Sequence, residues 1–408
     1  MSSQQNSSRK RHKKKTSNRT MKNDKSSGEG EQRLNEGFST LLSELETILM
    51  GQGEPFKARA YKKAEETILG ITYDITSYKQ LEGMPGIGDA IIKKLQEYEE
   101  TGSLAYLERE RKNPINVLTQ VHGIGIKNAK ELIEKGITTI EQLKQQSELL
   151  NNVQKKGLKY YDDLTHRIPR DEIVEYNKRI DDVFRDTFGE SQTDVSFEIV
   201  GSYRRGVSSS GDIDIIITSK SNNKKVFATF LDALNKTNVV IEELSRGKVK
   251  SLTIGQLEGK LSRRLDFLYA PPTEYAFAII YFTGSKAFNT IMRQHALKKG
   301  LTLNEHGLYT MVDKKKGDRI EDSFESEEDV FRYLGLVFKT PEQRKDGTAV
   351  IASTSITKSP SVQKVSDVKK PSSKSKSSKS KSSKSKSSKS KSSKSKSSKS
   401  KSSKSKSS

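Results

Sequence analysis

Asp212 and Asp214 stand two residues apart in the run GSYRRGVSSSGDIDIII, residues 201–217, and no other spacing in the chain carries as much chemistry. On a β-strand alternate side chains share a face, so the two carboxylates project together while Ile213 and Ile215 point to a core. Side by side they repel each other, and a divalent cation relieves that repulsion. An all-oxygen donor set favours magnesium, with manganese as a substitute. Just upstream, the backbone amides after Gly201, the Ser202 hydroxyl and the Arg205 guanidinium suit a triphosphate.

A third carboxylate, Asp266, lies in RRLDFLY, where β-like alternation puts Arg264 on the same face. Three acids on neighbouring strands hold two metal ions, which together bridge an attacking oxygen and a leaving pyrophosphate. Asp266 is the candidate to assist removal of the attacking hydroxyl's proton. An Asp-x-Asp by itself is most often an exposed strand edge. Preceded by Gly-Ser-x-Arg-Arg-Gly and followed by a third strand aspartate, it reads as a phosphoryl-transfer site.

Two glycine turns address the other half of such a substrate. LEGMPGIGDAII (81–92) and LTQVHGIGIKNAKEL (118–132) share a Gly-Ile-Gly turn that opens a helix. Gly86, Gly88, Gly123 and Gly125 let backbone amides at a helix N-terminus approach a phosphate closely. One copy is explained by helix capping alone; two copies read as helix-hairpin-helix elements, which grip a nucleic-acid backbone without reading its sequence.

The elements around these residues divide the chain. Leu34, Phe38, Leu41, Leu42, Leu45, Ile48 and Leu49 recur at helical spacing, and helical patterns continue to about residue 165. After Arg170, VSFEIVGSY, DIDIIIT, KSLTI and RRLDFLY are short β-rich runs with one helix near 224–235. The fold class is therefore α+β, a helical first half followed by a sheet. The net charge is +22, yet residues 1–28 carry nine Lys/Arg against one acid and residues 358–408 carry eighteen Lys against one acid, which leaves −3 for residues 29–357. The basic character sits at the chain ends. The run Arg9–Lys15 suits nuclear import or nucleic acid, and the Lys/Ser repeat from Ser372 has no apolar residue with which to pack. Absence of cysteine excludes disulfides, thiolate metal sites and cysteine nucleophiles. No secretory signal or apolar span is evident, so an intracellular protein with no membrane partner is expected.

In order along residues 30–340, the two hairpins, HRIPRDE (166–172), the carboxylate signature, RRLDF (263–267) and YFTGSKAFNTIMRQHALKKG (281–300) resemble the X-family DNA polymerases, nearest to the polymerase beta type. The resemblance implies template-directed addition of dNMP to a primer 3′-OH during short-gap repair such as base excision. Its partners would be gapped or primed DNA and dNTPs, and the protein a monomer in the nucleus or another DNA-replicating compartment. It implies two Mg²⁺ ions, Mn²⁺ as substitute, on Asp212, Asp214 and Asp266, and a monovalent cation at the hairpins. By the same resemblance Arg167, Ser202 and Arg205 contact the triphosphate, Tyr281 and Phe282 pack beside its sugar and Asn289 reaches the base. Gly211 and Gly284 join them as nucleotide-binding positions, and Arg264 and Arg293 contact DNA. The amino-terminal helices are similar to that family's deoxyribose-phosphate lyase domain, with Lys94 as Schiff-base nucleophile, Lys57 as a phosphate contact and Tyr61 in the site. Departures are Phe56 for histidine, Ala90 and Tyr106 for lysines, Leu268 for an arginine that pairs with the second carboxylate, and Lys286 for an aspartate.

The expected organisation is a basic tail (1–28), a lyase-like domain (29–112), a helical DNA-binding subdomain (113–170), a nucleotidyltransferase palm with a mixed or antiparallel sheet (171–280), a nucleotide-selection subdomain (281–340) and a Lys/Ser tail (341–408). Two other functions compete. A template-independent nucleotidyl transferase uses the same carboxylates, but only about ten residues separate LTI from LDF where such enzymes carry a long loop. A non-catalytic DNA-packaging protein explains the tails and leaves the three aspartates without a role.

Overall fold

The computed structural model describes residues 33–353; the stretch 1–28 with its Arg9–Lys15 run and the Lys/Ser repeat lie outside the described residues. Helix α1 (Asn35–Gly51) buries Phe38, Leu41, Leu42 and Leu45 along one stripe. That stripe packs in one core with Ala64 and Ile68 of α2 (Pro55–Leu69), Ile91 and Leu95 of α3 (Asp89–Thr101) and Leu107 of α4 (Ala105–Arg111). A second helical core gathers Leu118, Val121, Ile124, Leu132, Leu143 and Leu158. Its helices are α5 (Pro114–Leu118), α6 (Ile126–Glu134), α7 (Ile140–Gln145), α8 (Asn152–Lys159) and α9 (Tyr161–Leu164). Capping boxes at Thr139–Gln142 and Asn151–Gln154 start α7 and α8 by satisfying their first amides.

The chain then changes period. In order come β1 (Ile168–Pro169), α10 (Arg170–Phe188), β2 (Val195–Ile199), α11 (Gly201–Arg204), β3 (Ser209–Ser210), β4 (Ile213–Ser219) and α12 (Lys225–Lys236). β5 (Val240–Arg246), β6 (Lys250–Gln256) and β7 (Ser262–Tyr269) complete a five-stranded sheet of order β2-β4-β7-β6-β5. Only the central pair β4–β7 is parallel, so the sheet is mixed. One face is closed by α10 and α12, whose Ile173, Tyr176, Phe184, Phe227 and Phe230 pack on Ile213, Ile215, Leu265 and Phe267.

A smaller α+β unit follows: α13 (Pro272–Thr283), α14 (Lys286–Lys298), the antiparallel strands β8 (Leu301–Asn304), β9 (Gly307–Val312) and β10 (Lys315–Arg319), and α15 (Glu327–Tyr333). α13 serves both neighbours: Ala278 and Ile279 pack with Ile216 on the open face of the large sheet, while Phe277 and Ile280 enter the last core. The expected boundary between residues 280 and 281 thus runs through one helix. The expected start of the tail at 341 also needs correction. Arg344 has no exposed surface; its Nη1 donates to Glu327 Oε1 at 2.6 Å, and its guanidinium lies 5.2 Å from the Phe331 ring. The segment reads as a polar loop because nothing in PEQRKDG marks one arginine as buried. The chain's first and last described parts also meet, through Lys286 Nζ to Glu65 Oε1 at 2.8 Å and Arg33 Nη2 to Asp346 Oδ2 at 2.9 Å.

Candidate active site

Register assembles the carboxylates. In the parallel pair Asp214 lies opposite Asp266, and one row along Ile213 faces Leu265, which sets Asp212 beside Arg264. Because alternate residues share a face, Asp212, Asp214, Asp266 and Arg264 all project from the side opposite the α10–α12 layer. One ligand atom from each aspartate lies within 4.8 Å of the others. Gly201 makes room for them: its φ is +64°, and a Cβ there would come within 2.5 Å of Asp214 Oδ2.

The electrostatics fit a cation. Burial, then the charges of Asp212 and Asp266, push the Asp214 carboxyl up to about 7, and burial also raises Asp266 against the pull of Arg264. Arg264 supplies a partial counter-charge, donating through Nη2 to Asp212 Oδ2. Its Nε comes within 3.2 Å of Asp266 Oδ1 without hydrogen-bond geometry, so both buried atoms stay unsatisfied. A buried carboxylate oxygen with no donor, inside an all-oxygen triad, matches what a hard divalent ion requires.

Around the triad stand the residues expected to hold a nucleotide. Ser202 Oγ donates to the buried Ser210 Oγ at 2.7 Å. Arg205 Nη1 donates to Thr283 O at 2.5 Å, next to Gly284, and burial lowers its pKa. Arg167 donates through Nε to Ser209 Oγ at 3.2 Å and through Nη2 to Ser209 O, and sits 3.8 Å from the position of a Cβ on Gly211. Asn289 Nδ2 donates to Tyr281 O at 2.7 Å, Tyr281 and Phe282 meet edge to face at 5.1 Å, and Arg293 lies 6.0 Å from the Tyr281 ring. Leu268 packs with the sheet–α13 core and offers Asp214 no charge.

Sequence reasoning missed the frame behind Arg205. Its neighbour Arg204 donates through Nη2 to Glu327 Oε2 at 3.0 Å and through Nη1 to Thr283 Oγ1 at 3.0 Å, and its Nε donates to Glu198. Glu327 in turn accepts from Arg344. Burial raises the Glu327 carboxyl, but the hydrogen bonds from Arg344 and Arg204 outweigh it and hold the group below the usual carboxylate range. The only local signal was the paired arginine; its partner 123 residues away had none.

The hairpins lie apart. Gly86 and Gly123 take φ of +89° and +86°, whereas Gly88 and Gly125 are extended N-caps of α3 and α6 with open space where a Cβ would stand. The second hairpin lines a cavity of about 790 Å³ together with Tyr161, Leu244 and Arg264. Among the described residues the Gly123 and Gly125 amides have no hydrogen-bond partner. Lys94, half-buried on α3, donates to Ala90 O at 3.2 Å and lies 5.9 Å from the Tyr61 ring. Lys57 stands 3.4 Å from Glu54, and Phe56 is 79% exposed under Arg59.

This fold and site define a nucleotidyltransferase palm preceded by two helix-hairpin-helix elements. Family models agree segment by segment: a helix-hairpin-helix domain matches residues 33–104, the fingers domain of DNA polymerase lambda 116–165, the DNA polymerase beta palm 167–272 and the DNA polymerase beta thumb 278–345. A DNA polymerase lambda of Arabidopsis thaliana is 32% identical over 333 residues, spanning 76% of this chain and 62% of the relative. A DNA polymerase lambda of Rattus norvegicus is 30% identical over 309 residues, spanning 72% and 53%. The matches thus cover somewhat over half the length of these relatives. The chain belongs to the X family of DNA polymerases.

Proposed function

We propose that the protein is a template-directed DNA polymerase of the short-gap repair type, adding dNMP to a primer 3′-OH with release of pyrophosphate. The observation that carries this reading is the convergence of Asp212, Asp214 and Asp266 within 4.8 Å, Asp214 and Asp266 on adjacent strands and Asp212 just before the first of them, beside a half-buried arginine on Thr283. Mg²⁺ or Mn²⁺ ions on the triad would lower the pKa of the primer hydroxyl and neutralise charge on the triphosphate. The chain's own groups do the rest. Arg205, Arg167 and Ser202 bind the triphosphate; Tyr281, Phe282 and Asn289 orient sugar and base; Asp266, with its unsatisfied Oδ1, takes the proton of the primer hydroxyl. The hairpin amides hold the sugar–phosphate backbone without regard to sequence. The names of the relatives and the repair role of the family support DNA and dNTPs as partners and a nuclear or other DNA-bearing location. No helix among the described residues is long and apolar enough to cross a membrane.

Primer extension on a gapped duplex, run with Mg²⁺ and repeated without template, tests the reading. The expected result is gap filling dictated by the template base. Extension of a single strand at equal rate would favour the template-independent transferase, and no extension in either case would leave the packaging role.

A second activity, removal of a 5′-deoxyribose phosphate through a Schiff base on Lys94, is favoured by one contact: Lys94 and Tyr61, far apart in sequence, sit 5.9 Å apart beside the first hairpin. Borohydride trapping of a protein–DNA adduct tests it.

A further inference from the structure

Arg264 stands between two things that want it. On one side its guanidinium donates to Asp212 Oδ2 and its Nε lies 3.2 Å from Asp266 Oδ1, so its positive charge lies against the oxygens a divalent ion would use. On the other side it lines the 790 Å³ cavity together with His122, Gly123 and Gly125. His122, in the same lining, is held below its usual pKa by burial and then by the charge of Arg264. The Arg264 side chain is 42% exposed, while Asp266 is 15% exposed and its Oδ1 has no hydrogen-bond donor. A guanidinium binds a phosphodiester as readily as a carboxylate, because its planar fork matches both.

We propose that Arg264 masks the carboxylate triad in the free protein and that a backbone phosphate of DNA seated in the cavity draws it away, so that DNA binding switches on metal binding. The proposal rests on the polymerase reading, in which the triad holds the metal and the cavity a strand. Carboxylates left without their internal counter-charge gain affinity for a divalent cation, whereas carboxylates already paired resist it. By linkage the coupling is reciprocal: metal strengthens DNA binding by the factor by which DNA strengthens metal binding. Leu268 has no charge to perform this role for Asp214, so the mask falls on the other two acids.

Mn²⁺ binding to the full chain, followed by the loss of the free-ion paramagnetic resonance signal, tests this without turnover. Titrations are made alone and with gapped duplex whose primer lacks its 3′-hydroxyl, with the duplex alone subtracted. In the wild type, DNA is expected to tighten Mn²⁺ binding about tenfold, a typical coupling of about 1.4 kcal/mol. Arg264→Gln is expected to tighten DNA-free binding about tenfold and to abolish the DNA dependence. Arg264→Lys, kept as the second variant should the first melt abnormally, must change both in the same direction by less. Unchanged or weaker DNA-free binding in both variants overturns the mask while leaving the metal site standing. An Asp214→Asn/Asp266→Asn double variant that binds Mn²⁺ like the wild type overturns the metal reading, and the mask with it.

Discussion

Two candidate catalytic centres occupy this chain, and they are built in opposite ways. Asp214 and Asp266 ride on central strands of a five-stranded sheet, where ladder hydrogen bonds on both sides fix each Cα and the register itself sets one against the other, and Asp212 lies one residue before β4. Lys94 rides on a helix in a small domain whose contact with the carboxyl-terminal unit runs through Lys286, Glu65, Arg33 and Asp346. Residues 29–115 carry eleven basic and sixteen acidic side chains, so the amino-terminal domain repels the backbone it is proposed to act on, whereas the triad needs its negative charge. A site that must hold metal ions is placed where geometry is least negotiable; a flexible amine that forms a covalent bond tolerates a looser mount.

The comparison is broken most severely at the triad. Asn at Asp212, Asp214 or Asp266 is expected to lower gap filling by roughly 10³-fold or more while DNA affinity changes little, since such ligands act on the transition state. Near-normal turnover in any one of them would move the metal site elsewhere. Lys94→Ala is expected to leave gap filling within about twofold and to remove the borohydride adduct. Undiminished trapping would assign the nucleophile to another amine.

The ion-pair frames sharpen the contrast further. Glu327→Gln leaves the fully buried Arg344 without its counter-charge and Arg204 with Glu198 alone, an expected loss of about 3 kcal/mol in stability. Because the native carboxyl titrates below its ordinary 4.5, its stabilisation is complete above that value and disappears as pH falls through the depressed native one. The gap in melting temperature between wild type and Glu327→Gln should therefore be constant near neutrality and narrow in acid; a gap that widens in acid would refute the assignment. The nucleotide KM should rise with it, since Arg204 and Arg205 share Thr283. The smallest effect belongs to the helical domain. Lys286→Glu should cost about 1 kcal/mol, as the lysine is well exposed, and Glu65→Lys in the same chain should restore part of it. Additive losses would mean the pair does not hold the domains together.

Much of this was legible in the residues. The helical first half, the strand alternation of DIDIII, the two Gly-Ile-Gly turns and the third aspartate in RRLDF all lie where local pattern expects them, because periodicity and turn chemistry are short-range properties. The extent of the last unit was not legible. A boundary drawn at 340 cut off Arg344, since burial of a charged side chain depends on a partner supplied by α15 and on three phenylalanine rings around it.

By itself the sequence determined which side chains share a face, where amides are freed by glycine and where the charge resides, all consequences of backbone geometry and composition. Only the tertiary structure decided that Asp266 faces Asp214, that Arg264 lies across Asp212 and Asp266 toward the cavity, and that Arg205 is held by Thr283. Apart from Arg264 beside Asp266, those are pairings between residues 50 to 80 positions apart, fixed by strand register and helix packing. No local rule encodes such a pairing, because its energy exists only once both partners are desolvated together.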